Sequence, residues 1–143
     1  MEILIEDRQN RYRIAQKRIK KKAKTILNAL ESPDGELSIL IVDDPEIAKL
    51  NKTYLGRSGP TNVIAFPMQE GAFGEINPNL LGDVVISLDT AAREAREDCI
   101  PVELRFDQLL IHGILHLFGF DHEKTSEQTE EMTIKEEQLL KLL

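Results

Sequence analysis

His112, His116 and His122 are the only histidines among 143 residues, and all three lie in one stretch, His112-Gly113-Ile114-Leu115-His116-Leu117-Phe118-Gly119-Phe120-Asp121-His122. Residues four apart on a helix project from one face, so His112 and His116 stack one turn above the other. Gly119 stands where a helix would end in a left-handed residue, a conformation glycine adopts without a Cβ penalty. The chain then turns back and brings His122 toward the first two rings. Three neutral imidazoles converging in this way leave a fourth tetrahedral position open, which is the pattern of a catalytic zinc site. A closed structural site would use a cysteine there, and the single cysteine, Cys99, precedes the motif. A lone histidine on an apolar helix is most often a core residue; three at this spacing, with a glycine between the second and third, point to metal binding. Zinc suits the set best, although nickel, cobalt and iron also bind imidazole.

The same spacing limits the reaction. Zinc peptidases of the His-Glu-x-x-His type carry a glutamate beside the first histidine as general base. Here that position is Gly113. General base catalysis contributes about 10²- to 10⁴-fold, so a peptidase or amidase is disfavoured. A phosphodiester asks for different help, namely a metal that activates water near neutral pH or polarises a non-bridging oxygen. A guanidinium for the charge that builds on the phosphate completes the requirement. Asp121, just before the third histidine, fits either a carboxylate holding a ring or a water, or a loop-capping residue.

The run His112-Gly113-x-Leu115-His116-Leu117-x-Gly119-x-Asp121-His122 resembles the signature of the YbeY family of bacterial ribosomal-RNA maturation factors. The likeness continues upstream through Leu50-Asn51-x-x-Tyr54, Pro60-Thr61-Asn62-Val63 and Leu81-Gly82-Asp83-Val84-Val85-Ile86. It implies a zinc-dependent, single-strand-specific endoribonuclease acting in 16S 3′-end maturation and ribosome quality control. The implied partners are ribosomal RNA and the small ribosomal subunit, with ribosomal proteins or an assembly GTPase beside them. The implied fold is similar to that of zinc metalloproteinases. The family carries a functional arginine in a Tyr-Arg-Gly-Lys stretch, whereas this chain reads Tyr54-Leu55-Gly56-Arg57. Leu55 occupies the arginine position, and Arg57 is the candidate to supply the same charge. Two other readings stand beside this one: a ribosome assembly factor whose metal is structural, and a metallopeptidase-like hydrolase.

The elements that must position these residues are legible in the pattern. Residues 3–6 read as a strand, and Asn10 as the cap of a helix to about Leu30, with Tyr12, Ala15, Ile19, Ala23, Ile26 and Leu30 on one stripe. Ser32 to Gly35 is a turn, and Leu37–Val42, apolar without alternation, is a central strand. Asp44-Pro45 starts a second helix, with Asp44 as the cap and Ile47, Leu50 and Tyr54 facing inward. Asn62–Phe66 is a strand that Pro67 places at a sheet edge. Residues 68–81 are a long loop, and Val84–Leu88 is a buried strand opened by Asp83, which is either near the metal or a strand-end hydrogen-bonding residue. A short helix through Ala91, Ala92 and Ala95 follows, then the histidine helix opened by Pro101, and a last helix from Ser126 to Leu142. The sum is a single α+β domain over residues 1–143, with a small mixed four-stranded sheet and about five helices.

Composition narrows the setting. Hydrophobic content of 41% and charged content of 30% are those of a globular protein. No basic region with a long apolar run opens the chain, and no apolar run reaches membrane-spanning length, so a cytoplasmic protein without a membrane partner is expected. A lone cysteine forms no internal disulfide, which fits a reducing compartment. The net charge of −7 is unevenly spread, because nine of the 18 basic residues lie between Arg8 and Lys24 without an acid among them. That segment is either a phosphate-docking face or a solvated helix face.

Overall fold

The computed structural model describes residues 2–68, 79–120 and 125–143. In chain order the elements are β1 (Ile3–Asp7), α1 (Gln16–Ala29), β2 (Glu36–Val42), α2 (Asp44–Leu55), β3 (Val63–Pro67), β4 (Leu80–Ser87), α3 (Leu88–Glu97), α4 (Val102–Leu117) and α5 (Ser126–Leu140). The strands form one sheet of order β1-β2-β4-β3. β1, β2 and β4 run parallel, and β3 pairs antiparallel with β4 at the edge. Pro67 ends the edge strand, where its missing N–H costs no ladder hydrogen bond. The expected α+β class, mixed four-stranded sheet and five helices are what the described residues form.

Alternation along the strands gives the sheet two covered faces. Val84 and Ile86 of β4, with Ile39 and Ile41 of β2, join a large core with Ile19, Ala23 and Ile26 of α1 and Leu110, Ile111, Ile114 and Leu115 of α4. The opposite face is smaller: Val42, Ile64 and Val85 pack with Ile47 and Leu50 of α2. α4 is therefore the buried central helix on one side, and α2 lies across the sheet from it.

Several boundaries differ from the sequence expectation for identifiable reasons. α1 starts at Gln16 rather than after Asn10. The Gln9 side chain organises the intervening residues into a turn: its Nε2 donates to the Tyr12 carbonyl at 2.8 Å, and its Oε1 accepts from the Tyr12 N–H at 2.8 Å and the Arg11 N–H at 3.1 Å. Ala15, placed on the apolar stripe, is exposed, and Leu27 is buried in its stead. The cap of α2 is Asp43, whose carboxylate accepts from the Glu46 N–H at 3.0 Å, one residue before the expected Asp44. Asp44 is spent elsewhere. Its Oδ1 accepts from Thr90 Oγ1 at 2.6 Å and Ser87 Oγ at 2.7 Å, and Arg93 donates to its Oδ2 at 3.2 Å, tying α2 to α3. Tyr54 does not face inward: it is 65% exposed, and its ring meets Phe66 edge-on with centroids 5.4 Å apart. β4 begins at Leu80, so Asp83 lies inside the strand, paired in register with Ser38 and Phe66, and Leu88 is already the first residue of α3. The expected long loop falls mostly on residues 69–78, outside the described residues.

Candidate metal centre on helix α4

Between Phe106 and Leu117, every residue of α4 is buried except Gln108, His112 and His116. Their spacing of four leaves a single polar line along a helix otherwise enclosed by the sheet and its neighbouring helices. Such a line on a core helix is where side chains meet solvent from a rigid support. The histidines thus project from the most constrained element of the fold.

The two rings converge. His112 Nε2 and His116 Nε2 are 3.1 Å apart, with ring centroids at 4.6 Å and planes at 72°. Two imidazole nitrogens each about 2.0–2.1 Å from one tetrahedral zinc lie roughly 3.3 Å from each other. The observed separation therefore suits two ligands of a single ion with little movement. On its far side, His112 Nδ1 is 2.9 Å from Glu136 Oε2 on α5. A carboxylate at that distance accepts a hydrogen bond from Nδ1–H, the tautomer in which Nε2 carries the lone pair facing His116. Sequence reasoning gave Glu136 no role at the site, because it lies 24 residues from its partner. Only the packing of α5 on α4 brings the two together.

The helix ends as its glycine requires. Gly119 has φ of 92°, the Phe120 N–H donates to the Leu115 carbonyl and the Gly119 N–H to the His116 carbonyl, both at 3.1 Å. This 6→1 and 5→2 pair is a Schellman termination, which closes the helix just after the second histidine. His122 and Asp121, the third expected ligand and its neighbour, lie outside the described residues. Among the described residues no group of three His, Cys, Asp or Glu side chains forms a metal cluster.

Gly113, read as a missing general base, has a packing reason. A Cβ there would come within 2.6 Å of Val84 Cγ1 and 3.2 Å of Val63 Cγ2. α4 lies so close to β3 and β4 that nothing larger than hydrogen fits, and a peptidase-type glutamate is sterically excluded.

Arg57 comes from a different element. It is exposed in the loop after α2, where Gly56 takes φ of 66°. The buried Asn51 steadies that loop by donating from Nδ2 to the Gly59 carbonyl at 2.9 Å. No hydrogen bond or ion pair among the described residues links Arg57 to His112 or His116. The basic segment at residues 8–24 is likewise partly spent within the fold. Arg18 and Lys22 each reach Glu103 at 3.0 Å, and Lys22 pairs with the buried Asp107 of α4 at 2.9 Å. Burial pushes the Asp107 carboxyl above its ordinary range, with Lys22 opposing that shift. Lys17, Lys20, Lys21 and Lys24 stay exposed.

The comparisons with known proteins agree with one another. A family model described as Endoribonuclease YbeY matches residues 4–143. The chain is 49% identical over 144 aligned positions to the Endoribonuclease YbeY of Geobacter sulfurreducens, covering 100% of this chain and 96% of that one. It is 53% identical to that of Syntrophotalea carbinolica, covering 96% and 92% of the two chains. The solution structure of a Thermotoga maritima protein superposes with a TM-score of 0.70 at 26% identity, over 98% of this chain and 87% of the other.

Proposed function

This chain belongs to the endoribonuclease YbeY family, and from that premise we propose that it is a zinc-dependent endoribonuclease that cuts single-stranded RNA in 16S 3′-end maturation and ribosome quality control. The observation that carries the metal part of this reading is the 3.1 Å approach of His112 Nε2 and His116 Nε2 on the open line of α4. His122 is the proposed third ligand. When bound, zinc supplies a Lewis acid for a non-bridging phosphate oxygen and lowers the pKa of water to about 7.

The chain's own groups do the rest. Glu136 holds the His112 ring and its tautomer, so the ligand nitrogen is presented before any ion arrives. The apolar packing around α4 fixes the spacing of the two rings and keeps bulk water from the rest of the helix between Phe106 and Leu117. Arg57 offers a guanidinium to the RNA phosphates, and Asp121 holds a ring or a water beside His122. The exclusion of a side chain at position 113 weighs against the peptidase reading. The substrate's setting follows from the same premise: ribosomal RNA on the small subunit, in the cytoplasm, with ribosomal proteins or an assembly GTPase as further partners. Among the described residues no helix is long and apolar enough to cross a membrane.

The test is cleavage of a single-stranded ribosomal-RNA fragment by wild type and His116→Ala, purified in parallel. The reading expects cleavage by the wild type and none above background by the variant. Equal cleavage in both lanes would assign the activity to something other than this site.

A further inference from the structure

Beside the histidine pair lies a cavity of about 280 Å³, most of whose lining has no part in the metal chemistry. It opens between α4, α5 and the start of β3, and His112 and Glu136 form one end of it. Its volume is just below the roughly 300–1,000 Å³ typical of ligand sites, which leaves room for one planar ring system rather than a run of nucleotides. Leu109, Ile111 and Leu140 give it apolar walls. Its polar lining on the two helices is Arg105, Gln108 and His112 on α4 and Thr133, Glu136 and Glu137 on α5, with Gln108 the next residue along the open line that carries the histidines.

Resting on the ribonuclease reading above, we propose that this cavity receives one unstacked base of the RNA next to the scissile phosphate, and that Gln108 reads it. Apolar faces flanking a slot with a few fixed polar groups are what an extruded base requires. The polarity of the slot is set by a chain of contacts. Arg105 donates from Nη1 to Gln108 Oε1 at 2.9 Å, while its Nε and Nη2 each reach Glu94 Oε1 at 3.0 Å. Glu94 is held in turn by Asn62 Nδ2 at 3.2 Å. With its oxygen committed to Arg105, the Gln108 amide is left with its NH₂ donors to offer. A donor selects a base that presents a carbonyl oxygen, guanine or uracil, over adenine, whose corresponding group is an amine. Arg105 is a positioning residue here, because it acts through the Gln108 oxygen.

The experiment uses a set of short single-stranded RNAs that differ only in the bases flanking one cleavage position. Two readouts are taken: kcat and KM for cleavage by the zinc-loaded protein, and anisotropy-detected binding to the metal-stripped protein in chelator. The wild type is expected to favour guanine or uracil over adenine at one flanking position by about tenfold, as one good base contact confers. Gln108→Ala should level that preference in both readouts, chiefly through KM. Gln108→Glu, nearly isosteric and acceptor-only, should turn the preference toward the amino-bearing bases. Unchanged base profiles in both variants, with cleavage and its loss in His116→Ala intact, would overturn the base pocket and leave the ribonuclease reading standing. RNA neither bound nor cut by the wild type would overturn both.

Discussion

α4 and α2 pack on opposite faces of the same sheet and present their candidate residues in opposite ways. α4 is clamped by the larger core and offers a single polar line whose members are fixed by helix geometry and, for His112, by Glu136. α2 covers a smaller cluster, is tied to α3 through Asp44, and ends in an exposed turn that carries Tyr54 and Arg57 outward. The difference suits the two jobs proposed for them. A metal site needs ligand atoms held within tenths of an ångström, so it belongs on the buried element. A charge that meets a flexible RNA backbone needs reach rather than precision, so an exposed loop suffices.

The strongest way to break that contrast is to force a side chain under α4. Gly113→Glu places a Cβ against Val84 and Val63 and a carboxylate in the core, and overpacking alone typically costs about 1–3 kcal/mol. Thermal unfolding should fall sharply, and no peptidase activity should appear. A stable Gly113→Glu protein that cuts peptides would contradict the packing account. Next in size is the support behind the ligand. Glu136→Gln should lower zinc affinity by about 10- to 100-fold with little change in melting temperature. A competition titration against a zinc-chelating dye measures it.

On the α2 side the effects should be smaller. Burial works to raise the Asp44 carboxyl, but hydrogen bonds from Thr90, Ser87 and Arg93 outweigh it and hold the group below its ordinary value of 3.8. A lowered folded value means the ionised carboxylate adds stability above the unfolded value, and that stability is lost as pH falls through the folded one. Asp44→Asn should therefore cost on the order of 1 kcal/mol at neutral pH. The gap from wild type should shrink steadily below about pH 4 in denaturant melts, the window the carboxyl's ordinary value sets. A constant gap down to pH 2 would place the effect in something other than charge. Smallest of all is Arg57→Ala. As an exposed phosphate contact it should weaken RNA binding a few-fold across sequences and reduce the salt slope by about 1. A large fall in kcat at unchanged affinity would instead place Arg57 at the reacting phosphate.

The same contrast explains what could be read from the sequence. The histidine helix, its Gly119 ending and the edge position of β3 are local patterns, carried by spacing of four, a left-handed glycine and a strand-terminal proline. They formed as expected. The late start of α1 escaped because Gln9, an unremarkable residue in sequence, closes a side-chain turn that outcompetes helix from Asn10. The cap of α2 slipped by one residue because two adjacent aspartates offered the same signal, and only Ser87 and Thr90 decide which is free. Glu136 and the cavity at Gln108 depend on how α5 lies against α4, which no spacing within either helix encodes. That position 113 lacks a peptidase-type base is plain in the sequence, but the packing that excludes a side chain there, the closeness of β3 and β4, is tertiary.

The measurement that meets the central claim most directly is a zinc titration of metal-stripped protein, followed by cleavage of a single-stranded RNA, with His116→Ala in parallel. The account predicts activity that rises with zinc and saturates near one ion per chain, and a variant that neither binds zinc at that stoichiometry nor cuts. Full cleavage by the stripped protein, or a variant as active as the wild type, would show that the histidine line of α4 is not where the RNA is cut.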